Sequence, residues 1–177
     1  LVFPGLQGLA PRWSEDGYDA VVLGCFSDPG LDALRELTRS AVIGPGEAAL
    51  LAAIQFGETF SVLSSDPTPG GLRRRIRGLG LASRFASEHV VGASVAELRR
   101  DPGRAFASIA KGAEACIADG ADVIVLGCLA MCFVPGLPER LQEATGAPVI
   151  NPVVAGLKSA EAALHYGVAR RTAAAAS

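Results

Sequence analysis

"DAVVLGC", residues 19–25, returns almost unchanged as "DVIVLGC", residues 122–128, the copies differing only at Ala20 against Val123 and Val21 against Ile124. Each copy is an aspartate, an apolar run rich in β-branched side chains, a glycine and a cysteine. Such a short β-branched run, ending in a glycine, reads as a strand. Working outward, similar short runs alternate with Ala/Leu-rich stretches. Strands are predicted at residues 21–24, 41–43, 59–63, 85–90, 123–127 and 148–150. Helices fill the gaps. Pro29 suits a first helical turn, with Leu31, Leu34 and Leu37 on one face behind it; residues 47–56 are Ala/Leu-rich; Leu72, Ile76 and Leu79 recur at i, i+4 and i+7. This alternation means βαβ units and a mostly parallel α/β sheet. The matching halves suggest a duplicated lobe, with its ligand site at the carboxyl ends of the strands.

Composition limits what such a chain can be. Its 177 residues suffice for one well-buried core, as one domain or two small fused lobes. An apolar fraction of 50% with 19% charged residues is globular, and excludes disorder and fibrous repeats. A net charge of −2 carries no footprint for nucleic acid or an anionic membrane. The opening "LVFPGLQGLAPRW" lacks the basic start and continuous apolar stretch of a secretory signal. The longest charge-free run, residues 123–138, is broken by Gly127, Pro135 and Gly136 and falls short of a membrane span. A cytoplasmic protein is expected, its four cysteines present as thiols.

Both cysteines of the repeat fall where strand gives way to loop and helix. Backbone N–H groups and the positive end of a helix dipole there favour thiolate, and the same N–H groups can hold a developing oxyanion. Two such thiols, Cys25 and Cys128, are suited to the opposite faces of one small molecule. The bland alternative for each is a buried core cysteine. Cys116, inside "FASIAKGAEACIADG", reads as core, and Cys128 with Cys132 makes a C-x3-C pair that lacks the second Cys/His pair of a zinc site. No metal is expected. Ser64, Ser65 and Thr68 follow a strand at the cysteine edge, where a polar loop can hold ring carbonyls and N–H groups. His89 and His165 have no partner motif. The arginines of "LRRRIRG" read as the solvated face of one helix, and Glu47 suits a helix N-terminus. There is no G-x-G-x-x-G after a strand and no P-loop. Neither Lys111 nor Lys158 sits in a motif for a pyridoxal Schiff base.

"CFSDPGLDALREL", "GADVIVLGCLAM" and "APVINPVVA" together resemble the hydantoin racemase branch of the aspartate/glutamate racemase superfamily, over residues 18–165. The resemblance implies an α/β fold of two pseudo-symmetric parallel-sheet lobes with helices on both faces, one lobe containing Cys25 and the other Cys128. It implies cofactor-independent acid/base catalysis by those two cysteines on a small hydantoin-like ring, in a homo-oligomer. Substrate contacts then fall to Phe26, Ser27, Ser64, Ser65 and Leu129, with backbone N–H groups at 25–27 and 128–129 steadying the enolate. Family members open with a strand and an Asn-Pro-Asn-Thr-like loop that nothing before Trp13 matches, so that strand is expected to be missing. Leu129-Ala130 stands where the family more often has a small residue and glycine, which narrows the pocket. The expected activity is racemisation of 5-substituted hydantoins or allantoin. The nearer alternative is an aspartate or glutamate racemase, although no arginine falls in either cysteine loop to clamp a free carboxylate. An alternative of another class is a thiol redox or ligand-sensing module using a Cys25–Cys128 disulfide.

Overall fold

The structure, a computed structural model, describes residues 3–65, 71–92, 100 and 102–167. These fall into two compact units, one drawn from Leu1–Ala48 and Val154–Ser177, the other from Ala49–Val153.

In the first unit helix α1 (Phe3–Glu15) leads into strand β1 (Ala20–Val22), helix α2 (Leu31–Leu37), strand β2 (Ala41–Ile43) and the start of helix α3 (Pro45–Ala53). Strands β1 and β2 pair in parallel, Ala20 level with Ala41 and Val22 with Ile43. The Leu23 N–H extends the ladder to the Ile43 carbonyl at 3.0 Å. Ala10, Leu23, Leu31, Leu34 and Val42 close a small apolar core, with Leu6, Trp13 and Leu37 packed on it. The apolar face expected from Leu31, Leu34 and Leu37 is therefore observed. Pro29 is not in its first turn: α2 starts at Leu31, capped by Gly30 at φ 70, a left-handed conformation that proline cannot adopt.

The second unit is built on four parallel strands in the order β4 (Phe85–Val90), β3 (Phe60–Ser64), β5 (Val123–Leu126), β6 (Val149–Ile150). Each of the six predicted strands is observed with its bounds shifted by two residues at most. Strands β3 and β5 are buried throughout. Helix α4 (Gly71–Gly78) buries Leu72 and Ile76, and Leu79 falls just beyond its end. Helices α5 (Pro102–Ala118), α6 (Leu129–Cys132) and α7 (Leu137–Thr145) cover the sheet through Ile109, Ala113, Cys116, Met131, Leu137 and Leu141. Helix α8 (Pro152–His165) leads out of this unit. Asp122, which opens the second copy of the repeat, fixes the start of β5. Its carboxylate accepts the Glu58 N–H (3.0 Å), the Thr59 N–H (2.9 Å) and the Thr59 hydroxyl (3.0 Å). Those bonds, the Thr59 N–H foremost, hold its carboxyl below the ordinary carboxylate range.

Candidate active site

Cys25 lies in the loop at the carboxyl end of β1, exposed, with its Sγ 3.1 Å from the Ser27 hydroxyl. Residues 26–27 and 29–30 form turns, and α2 begins only at Leu31, six residues after Cys25 and not directly behind it. The loop is held instead by Asp28. Its N–H donates to the Cys25 carbonyl at 3.1 Å. Its buried carboxylate accepts the N–H groups of Gly46 (3.0 Å) and Glu47 (2.7 Å) in the first turn of α3. Asp28 sits at φ 47, in the left-handed region that aspartate tolerates better than most side chains. A Cβ at Gly44 would come within 2.6 Å of the Asp28 Cγ and 2.7 Å of Leu31 Cδ2, so glycine is required for this close approach. Behind it Arg35 clamps Glu47 through two bonds, 2.6 and 3.2 Å, and donates to the Val42 carbonyl. Phe26 is buried as a whole residue, while Ser27 is exposed.

Cys128 occupies the matching place after β5. It is half-buried and caps α6 with extended backbone, φ −143 and ψ 127, and its carbonyl accepts the Met131 N–H at 3.1 Å. The register Leu63 to Leu126 between β3 and β5 continues in the Gly127 N–H to Leu63 carbonyl bond at 2.8 Å. Ser65 directly follows β3 and Cys128 stands two residues past β5, so both lie at the carboxyl end of these neighbouring strands. Ser64 and Ser65 are both buried, and a Cβ at Gly127 would stand 2.7 Å from the Ser64 Oγ and 3.1 Å from the Leu63 carbonyl. The Ser64 hydroxyl donates to Glu88 Oε1 at 2.8 Å, so its oxygen is left to accept. Leu129, half-buried, is the first residue of α6. The second unit thus gathers Ser64, Ser65, Cys128 and Leu129 at one sheet edge. Cys25, Phe26 and Ser27 occupy the corresponding edge of the first.

Thr68 lies outside the described residues. Cys116 is wholly buried in α5, where loss of solvent pushes its thiol up to about 11. His89 pairs with Asp119 at 2.8 Å, His165 donates through Nδ1 to the Glu161 carbonyl, and Lys158 is exposed and paired with Glu161. Of the arginines of α4, Arg73, Arg74 and Arg77 are exposed, with Arg73 lying over the Phe85 ring. Among the described residues no group of three or more His, Cys, Asp or Glu is placed to hold a metal, and no helix is long and apolar enough to cross a membrane. A cavity of about 300 Å³ opens at the other end of β1, lined by Ser14, Tyr18, Asp19, Arg39 and Ser40 among others, and contains none of the candidate residues. Sequence reasoning missed Asp28, Arg35, Gly44 and Glu88. The Asp-Pro-Gly run was the one available signal for Asp28; nothing local marks Glu88 as a partner of Ser64.

A family model described as Asp/Glu/Hydantoin racemase matches residues 2–160. A hydantoin racemase of Rhizobium meliloti is 38% identical over 168 residues, which is 94% of this chain and 68% of the relative. A hydantoin racemase of Paenarthrobacter aurescens is 37% identical, over 86% of this chain and 64% of the relative. Among solved structures, allantoin racemase from Klebsiella pneumoniae superposes with a TM-score of 0.83 at 31% identity, covering 94% of this chain and 67% of that one. The chain therefore spans roughly two thirds of the length of these three relatives.

Proposed function

The chain belongs to the Asp/Glu/Hydantoin racemase family, and from that premise we propose that it racemises 5-substituted hydantoins or allantoin without a cofactor, by proton transfer between Cys25 and Cys128. One observation carries the reading. Two free thiols, neither fully buried, each follow a Leu-Gly at the carboxyl end of a parallel strand, one in each compact unit.

The chemistry asks for such a pair. Removing the C5 proton is feasible because the carbanion delocalises into the neighbouring ring carbonyl as an enolate. Inversion then requires a base on one face and an acid on the other. In the proposed cycle one cysteine, as thiolate, takes the C5 proton. Backbone N–H groups at 25–27 and 128–129 face the enolate oxygen. The second cysteine, as thiol, delivers a proton to the opposite face, and the two exchange roles for the reverse direction. Ser64, with its proton committed to Glu88, is suited to accept a ring N–H. Ser27, Ser65 and Leu129 complete the substrate contacts. Binding as a homo-oligomer belongs to the same reading, supported by the family.

Optical rotation tests it directly. One enantiomer each of 5-benzylhydantoin, 5-isopropylhydantoin, allantoin, aspartate and glutamate is incubated with the protein, with neither cofactor nor metal added. Rotation should decay above the uncatalysed rate for at least one ring substrate and persist for both amino acids. Decay confined to an amino acid, or in none of the five, would overturn the proposal.

A further inference from the structure

Cys132 has no part in the proton-transfer scheme, yet it shares α6 with Cys128. Cys128 caps the helix and Cys132 is its last residue, one turn on. The Cys132 thiol donates to the Cys128 carbonyl oxygen at 3.6 Å, so a second sulfur lies against the backbone of the proposed catalytic residue. Both are free thiols and both are half-buried. Burial pushes the Cys132 thiol up to about 11, and charge on Cys128 adds to the rise, so near neutral pH Cys132 is a protonated reserve thiol.

The geometry leaves a small gap for a bond to close. Cβ atoms four residues apart on a helix stand about 5–6 Å from one another, and a disulfide needs about 3.8 Å. Two features let the pair close by that margin. Cys128 stands outside the helix in extended backbone, so its Cβ is not bound to a helical position. Helix α6 is also a single turn, closed by the Phe133 N–H to the Ala130 carbonyl at 3.4 Å and the Val134 N–H to the Met131 carbonyl at 3.1 Å. An isolated turn is the least stable piece of helix.

We propose that Cys128 and Cys132 form a reversible disulfide that switches the protein off in the presence of a peroxide. The Cys128 thiolate attacks one oxygen of hydrogen peroxide and the O–O bond breaks. The sulfur is oxidised to sulfenic acid, and the other oxygen leaves as hydroxide, which takes a proton to become water. The Cys132 sulfur then attacks the sulfenic sulfur. Its proton and the sulfenic hydroxyl depart as a second water as the S–S bond forms. Overall two thiols and one peroxide give one disulfide and two waters. The bond protects the site, because a sulfenic acid with no thiol beside it is oxidised further to sulfinic acid, which common thiol reductants do not reverse. A dithiol returns the disulfide to two thiols by exchange.

The loss of activity rests on the proposed function, but the bond itself does not. Cleavage before Asp122 and after Arg140 releases residues 122–140, which contain Cys128 and Cys132 and no other cysteine. After excess hydrogen peroxide, this peptide should be lighter by two hydrogen atoms under non-reducing conditions. Turnover should fall at least about tenfold, and dithiothreitol should restore both mass and turnover. Cys132→Ser should turn over within a few-fold of the parent, then lose activity to the same treatment beyond recovery by reductant, with two oxygens added at Cys128. A parent peptide without the mass loss, a disulfide from Cys128 to Cys25 or Cys116, or full recovery of Cys132→Ser would overturn the switch. The mass readout decides it even if no substrate of the racemase panel turns over.

Discussion

Asp28 shows how one side chain can define the loop that carries Cys25. It adopts a left-handed backbone, turns the chain back on the Cys25 carbonyl and uses both carboxylate oxygens to cap α3. Removing such a cap costs about 1 kcal/mol, up to 2 where the acceptor is buried. Asp28→Ala should therefore lower unfolding free energy by about 1–2 kcal/mol and reduce turnover more than its stability loss explains, because the Cys25 turn loosens. Asp28→Asn keeps one acceptor oxygen and should lose less of both. Gly44→Ala approaches the same carboxylate from the other side. Its Cβ, 2.6 Å from the Asp28 Cγ, should cost about 1–3 kcal/mol by overpacking. Denaturant melts of the three variants, beside their rates of racemisation, check both statements. An Asp28→Ala protein with parent turnover would show that the loop holds Cys25 without this cap.

The elements were the most legible part of the molecule, for a physical reason. Strands β3 and β5 are buried on both faces, so Phe60 to Ser64 and Val123 to Leu126 are unbroken apolar or small runs that leave little room for another reading. The duplicated "LGC" ends were visible because Asp122 and Gly127 are fixed by contacts of their own, Asp122 to Thr59 and Gly127 against Ser64. What escaped was carried by contacts distant in sequence. Asp28 reaches α3 eighteen residues on, and Ser64 reaches Glu88 twenty-four residues on. The two copies of the repeat also differ in burial. β5 is flanked by β3 and β6 and fully buried, whereas β1 is half-buried and pairs, among the described residues, with β2. A single strand's sequence carries no record of its neighbours.

Helix α5 adds a prediction at the same scale. Cys116 is wholly buried in it, and loss of solvent raises its thiol from 9.0 to about 11, while Cys132 in α6 rises from 9.0 to about 11. A folded pKa above the unfolded one means that the unfolded chain ionises first as pH rises. The stability from these two neutral thiols is thus fully present below pH 9 and lost between about 9 and 11. For Cys116 alone the loss is on the order of 2–3 kcal/mol. Unfolding free energy measured from pH 8 to 11 should fall across that window, and Cys116→Ala should fall less steeply. Equal slopes for parent and variant would place the alkaline sensitivity elsewhere.

At the scale of the whole molecule, the account makes one demand: the two compact units each contribute one thiol to a single reaction. Family membership and the matched strand ends support that demand, and the enantiomers of a substrate allow each thiol to be read separately. Serine is too weak an acid and base to replace either cysteine at neutral pH, so Cys25→Ser and Cys128→Ser should each lose racemisation. Half of the chemistry should survive in each. The most direct measurement is exchange of the C5 proton in heavy water, followed separately for the two enantiomers of one 5-substituted hydantoin. Each single variant should exchange one enantiomer alone, the one whose proton faces the remaining thiolate, and the two variants should spare opposite enantiomers. Exchange of the same enantiomer by both, or racemisation by either at near the parent rate, would contradict the two-thiol mechanism.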